Sequence, residues 1–213
     1  MRKQTNIHIS HPFEREYEAW VVSEIEKYFL SHGMNIEICA VSPKDEKTWP
    51  SDEYFSLSGQ LIGLQFKRPY LNNLNKIYWD LKERTQFELI KSSSEIYYAL
   101  PTFINRTWKK EALHHCIFWT PKKTDASSKL KAWYDHSRAQ TKYKYLNKCE
   151  DAFRWGTFIE LIKEREIGYP ITASTSIRNY FKTLFSDIEF MSESDESSKT
   201  IYFLFFPNDN LYS

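Results

Sequence analysis

The sequence predicts an α/β fold with a mixed central sheet, and three observations carry that prediction. Apolar residues recur at helical spacing over 13–32; strand-like alternation follows in 34–42 and 61–67; and a second helical pattern at 74–92 precedes the strand-like "EIYYALP" (95–101) and "HHCIFWT" (114–120). The order helix, three strands, helix, strand forms a unit ending near residue 120. An α+β extension in 121–213 is expected to pack on it within one structural domain.

The first helix rests on Tyr17, Val21, Val22, Ile25, Tyr28 and Phe29, with Gly33 where a C-terminal cap is expected. "MNIEICAVS" (34–42) alternates as a strand, and "PKDEKTWP" (43–50) reads as a loop. "DEYFSL" and "LIGLQFK" are expected to form an antiparallel hairpin through a Ser58-Gly59-Gln60 turn, with Pro69 ending the pairing. "LNKIYWDLKERTQFELIKS" (74–92) reads as the second helix. Beyond residue 120 the pattern predicts an amphipathic helix in "DAFRWGTFIELIKE" (151–164), another helix at 174–186 and a final hairpin around the acidic loop "SESDESS" (192–198).

A chain of 213 residues buries a hydrophobic core without staples, and nothing in it calls for disulfides. Three scattered cysteines, Cys39, Cys116 and Cys149, suit reduced usage better than secretion. The start lacks an apolar signal core, and the longest apolar run, "IYFLFF" (201–206), is too short to span a bilayer, so a soluble cytoplasmic protein with no membrane partner is expected.

A net charge of +1 conceals an asymmetry. Residues 121–148 carry Lys122, Lys123, Lys129, Lys131, Arg138, Lys142, Lys144 and Lys148 against Asp125 and Asp135, a net of +6, on an otherwise acidic chain. Trp133, Tyr134, Tyr143 and Tyr145 interleave them, a composition suited to phosphates and base faces. A solvated segment whose lysines maintain solubility is the alternative.

Projected at 100° per residue, Glu14 and Glu18 fall within about 40° of the centre of the helix's apolar stripe, whereas Glu24 and Glu26 project away. Burying a carboxylate is expensive unless it is paired, hydrogen-bonded or bound to a cation. Glu18 lies nearer the apolar stripe and is the preferred inward acid; solvation of both at the helix N-terminus is the alternative. On the expected hairpin, Gln65 and Lys67 share a face by alternation, and Asp52 opens the partner strand. Its neighbour Glu53 points to the opposite face. Two acids, a glutamine oxygen and an ammonium at one sheet surface would make a site for a hard divalent cation such as Mg2+, suited to phosphodiester hydrolysis.

The set Glu18, Asp52, Gln65-Phe66-Lys67, with this order of elements, resembles the PD-(D/E)xK (restriction-endonuclease-like) nuclease superfamily, in its QxK variant as in Mrr-type enzymes. The resemblance covers roughly residues 13–120. It implies a restriction-endonuclease-like core and Mg2+-dependent cleavage of DNA, with Mn2+ able to substitute. Glu18, Asp52 and Gln65 would hold the metal together with the Phe66 carbonyl, and Lys67 would be the catalytic lysine. Glu14 and Glu53 are the acids that could replace Glu18 and Asp52. Polar residues at the second helix line the cleft in related nucleases, so Arg84 and Gln86, along with Arg68 and the basic segment, are candidate DNA contacts. Restriction or antiphage defence is the implied setting, with a homodimer or larger defence complex as possible assemblies.

His114-His115-Cys116 lacks a second ligand pair at zinc spacing, and P-loop, G-x-S-x-G and G-x-G-x-x-G motifs are absent from the sequence. Two other classes remain open: a nuclease-fold module that binds nucleic acid without cutting, and a protein-interaction domain, consistent with 17% aromatic residues.

Overall fold

The computed structural model describes residues 11–41, 59–71, 77–81, 83–121, 152–172, 180, 183 and 201–207. Helix α1 spans Glu14–Ser31 and buries Tyr17, Val21, Ile25 and Phe29, the stripe predicted from the sequence. In its first turn the Glu16 carboxylate accepts the Phe13 backbone N–H at 2.8 Å and the Arg106 Nη2 at 2.6 Å. The Arg106 hydrogen bond holds the Glu16 carboxyl below its ordinary pKa.

Gly33 closes the other end at φ +68°, donating its N–H to Leu30 O at 3.1 Å while Met34 N–H reaches Phe29 O at 2.9 Å. Two carbonyls that a helix end leaves orphaned are thereby satisfied. An added Cβ at Gly33 would meet nothing within 4 Å. Gly33→Ala therefore costs the left-handed backbone strain alone, about 1 kcal/mol, seen as a lower urea midpoint at unchanged m-value.

The strands are β1 (Glu37–Val41), β2 (Gly59–Phe66), β3 (Pro69–Leu71), β4 (Ile77–Trp79), β5 (Ile96–Pro101), β6 (Cys116–Trp119), β7 (Ala152–Arg154), β8 (Tyr169–Ile171) and β9 (Ile201–Pro207). Helix α2 (Arg84–Ser92) precedes β5, a 3₁₀ helix (Arg106–Glu111) precedes β6, and α3 (Trp155–Lys163) follows β7. Seven strands form one sheet in the order β1-β9-β2-β5-β6-β7, with β8 also on β2; β3 and β4 pair separately. The sheet is mixed, because β2 and β5 run parallel while β9 runs antiparallel to both β1 and β2.

Alternation along these strands builds a core on each face. Ile62, Leu64, Phe66, Tyr97, Phe118 and Leu204 pack with α1 and α3. Leu61, Ile96, Tyr98, Trp119, Phe203 and Phe205 pack with Phe87 and Ile90 of α2 and with Trp79 of β4. The sheet is thus covered by α1 and α3 on one side and by α2 on the other. No helix among the described residues is long and apolar enough to cross a membrane.

Several local expectations give way to longer-range pairing. Gly59 and Gln60 are not a turn: they pair with Ile171 and Pro170 of β8 and with Pro207 and Phe206 of β9. Both edges of β2 are therefore taken, by β9 along 59–64 and by β8 and then β5 on the other side. The strand expected at 52–57 lies outside the described residues, and β9 holds the place beside β2 that the hairpin assigned to it. Likewise β9 is not half of a terminal hairpin, since β1 and β2 flank it, and the acidic loop at 192–198 lies outside the described residues. The central sheet is completed by a strand from beyond residue 200 rather than within 1–120.

Helix 74–92 begins only at Arg84. Ahead of it, Ile77 and Trp79 are buried and Tyr78 is half-buried, a period of two that pairs them with Pro69–Leu71 as β4. Ala152–Arg154, expected within a helix, extend the sheet beside β6, and the helix starts at Trp155. His114 and His115 lie in a turn before β6 rather than in a strand. Of the helix expected at 174–186, Tyr180 and Thr183 are helical and the rest lies outside the described residues.

Candidate functional site

α1 lies over the end of β2 and delivers both predicted acids there. Glu14 is half-buried and accepts the Arg68 backbone N–H at 3.0 Å, just past the strand. Glu18 is 5% exposed, and its Oε2 accepts the Tyr202 hydroxyl from β9 at 3.0 Å. Burial raises the Glu18 carboxyl above its ordinary pKa, against the Tyr202 hydrogen bond and the positive charges of Arg15 and Lys67, which lower it. Lys67 is itself buried and close enough for its charge to act on Glu18. Glu18 and Lys67, 49 positions apart, thus come within range of each other's charge where α1 packs over the end of β2.

The raised carboxyl has a consequence for stability. An acid whose folded pKa exceeds its unfolded one leaves stability intact below the unfolded value, near 4.5, and removes it as pH rises through the folded value. In metal-free buffer, Glu18→Gln is therefore expected to flatten the loss of stability that sets in as pH rises above about 4.5. Urea unfolding of both proteins across that range measures it, and parallel pH dependences would contradict the assignment.

Gln65 is fully buried and donates from Nε2 to the Phe66 carbonyl at 3.3 Å, while its Oε1 has no hydrogen-bond partner among the described residues. It shares a face with Leu61 and lies in register with Tyr98 of β5, which places it on the α2 side, opposite the face that α1 covers. Alternation predicts that Gln65 and Lys67 share a face, but not which helix covers that face. The convergence at one sheet surface becomes an arrangement around the end of β2: Glu14 and Glu18 come from the α1 side, Gln65 lies on the α2 side, and Lys67 follows the last strand residue. Lys67 N–H still reaches Ala99 O at 3.3 Å, so its backbone remains tied to β5.

Beyond Lys67, the Arg68 guanidinium lies 4.5 Å from the Tyr70 ring centre, and Tyr70 stacks on Tyr78 across β3 and β4 with centroids 5.5 Å apart. Gln86 is 8% exposed and lies at helical spacing with Phe87 and Ile90, so it faces the sheet rather than solvent. Arg84 opens α2, but its side chain is outside the described residues. So are Asp52, Glu53 and the basic residues Lys122, Lys123, Lys129, Lys131, Arg138, Lys142, Lys144 and Lys148.

Three features were missed in the sequence. Tyr202 sits in an apolar strand, where alternation marks its face but not its partner. Tyr98 is fully buried, its hydroxyl has no partner among the described residues, and burial with the nearby Glu83 charge pushes its pKa well up. Glu24, expected to project away, is half-buried and accepts the Leu113 backbone N–H at 2.7 Å, because the turn after the 3₁₀ helix packs along that flank of α1. Burial pushes the Cys39 thiol up to about 11 and raises that of Cys116 as well, which disfavours either as a thiolate nucleophile.

No protein-family model, curated protein or solved structure matches this chain. The site must be read from its own chemistry. The Glu18 carboxylate and the unpartnered Gln65 Oε1 are oxygen donors of the type that hard cations take, and a cation would offset the desolvation of Glu18. Among the described residues no three His, Cys, Asp or Glu side chains form a metal-binding group. The donor chemistry at Glu18 is of the type a hard cation takes.

Proposed function

We propose that this chain is a Mg2+-dependent DNA endonuclease of PD-(D/E)xK type, in the QxK variant resembling Mrr-type enzymes, acting in restriction or antiphage defence. The observation that carries the reading is the buried Glu18 carboxyl with the buried Lys67 ammonium near enough for its charge to lower the Glu18 pKa, two chemically costly groups supplied by a helix and the end of a strand. Structural ion pairs also bury charge. What favours a site over buried structural charge is the Gln65 oxygen, which has no hydrogen-bond partner among the described residues and lies on the α2 side of the same strand end.

In this reading Glu18, Asp52 and the Phe66 carbonyl would hold Mg2+, Gln65 would orient that carbonyl from the α2 side through its Nε2 hydrogen bond, and the bound ion would polarise the phosphodiester and acidify a water. Lys67 orients the attacking water and offsets charge developing on the phosphate. Tyr202 keeps the Glu18 carboxylate in place, and the Glu14 contact to the Arg68 backbone fixes α1 against the end of β2. Arg68, Arg84 and the lysines and arginine of 122–144 contact the DNA, where phosphate binding falls with salt, whereas Gln86, buried against the sheet, does not. Mn2+ substitutes for Mg2+, and a homodimer would cut both strands.

Supercoiled plasmid incubated with the protein and Mg2+ tests this directly: nicked or linear product is expected, and none should form with EDTA. Gln65 is neutral where such sites commonly carry a second acid, and that favours one other reading, a nuclease fold that binds DNA without cutting. Salt-dependent DNA binding with no product, even in Mn2+, would decide for it.

A further inference from the structure

We infer that Tyr202 is the positioning residue that presents Glu18 to a divalent cation, so that the last strand of the sheet contributes to the site. The inference rests on the metal-dependent reading above and adds to it a residue outside the span that carries the family resemblance. Tyr202 lies opposite Leu64 on the neighbouring β2, and its ring packs edge-on against Phe66 with centroids 5.5 Å apart at 89°. The hydroxyl, held by that packing, donates to Glu18 Oε2 at 3.0 Å. The other carboxylate oxygen, Oε1, makes no hydrogen bond among the described residues. One oxygen is thus anchored and the other left for a ligand, the division expected where an outer hydrogen bond orients a metal-binding side chain.

Burial gives this anchor its importance. A glutamate with three rotatable bonds on a solvated helix face would lose its geometry without such a tether, and Glu18, at 5% exposure, has few alternative partners. A tyrosine ring fixed by two torsions holds a hydroxyl more rigidly than a longer polar side chain could. Because β9 lies between β1 and β2, the position of that ring is set by the sheet itself.

Titration of the metal-free chain with Mn2+, followed by loss of the free-ion EPR signal, is the test. Tyr202→Phe keeps the ring and removes only the donor, and is expected to weaken Mn2+ binding about tenfold while the metal-free melting temperature shows the fold retained. Glu18→Gln should weaken binding further, and adding Tyr202→Phe to it should change nothing more, because Tyr202 acts through Glu18. Equal binding by wild type and Tyr202→Phe overturns the inference while leaving the metal site standing. The same tenfold loss in both backgrounds also overturns it, since a general structural effect would act independently of Glu18. A wild-type chain that binds no Mn2+ overturns the metal reading and this inference together.

Discussion

Lys67→Ala is expected to abolish Mg2+-dependent nicking of supercoiled plasmid. Removing a group that stabilises developing charge or moves a proton lowers rates by about 100-fold or more. In this chain no described residue stands ready to replace Lys67. Arg68 has its guanidinium over Tyr70, and Arg15 is exposed on α1. The backbone bond from Lys67 to Ala99 does not involve the side chain and survives the change. Removing a buried ammonium that lowers the Glu18 pKa should also push that carboxyl further up. Plasmid cleavage is read on a gel against time, with circular dichroism to show an unchanged fold. Cleavage at the wild-type rate would remove Lys67 from the mechanism.

A chain ended at residue 200 is expected not to fold. β9 is an interior strand, hydrogen-bonded on both edges, and its loss would expose the backbone ladders of β1 and β2 together. Phe203, Leu204 and Phe205 are almost wholly buried and contribute to the cores on both faces. Truncating Phe203 alone, as Phe203→Ala, should cost about 3–5 kcal/mol, a large share of the 5–15 kcal/mol that stabilises a typical domain. The shortened chain should lack a cooperative thermal transition and dispersed amide resonances, whereas the full chain should show both. A cooperative transition without residues 201–213 would mean that residues 1–200 suffice and that β9 is dispensable.

What the sequence made legible was local. The stripe of Tyr17, Val21, Ile25 and Phe29 and the Gly33 cap are periodic and punctuating signals, and helical projection from that stripe placed Glu14 and Glu18 inward. The burial of Gln65 and Lys67 in an otherwise apolar stretch could be suspected from their spacing. The insertion of β9 could not, because a strand at 201–207 pairing with 37–41 and 59–64 leaves no local trace, and an apolar run fits a central strand or a hairpin equally well. β4 was misread because "NKIYWDLKERTQFEL" keeps a helical period through residues whose pairing with β3 depends on the hairpin around them. The face of Gln65 was a third such case: alternation separates two faces, and only packing decides that α1 covers one and α2 the other.

The proposed site depends on Glu18, Asp52, Gln65 and Lys67 meeting around the end of β2. Diffraction from crystals soaked in Mn2+, recorded at its absorption edge, addresses that most directly. A single anomalous peak shared by Glu18 and Asp52 and lying near the Lys67 ammonium is the predicted result. An electron-density map that places Asp52 away from Glu18 and Lys67, or shows Mn2+ only at other side chains, would contradict it.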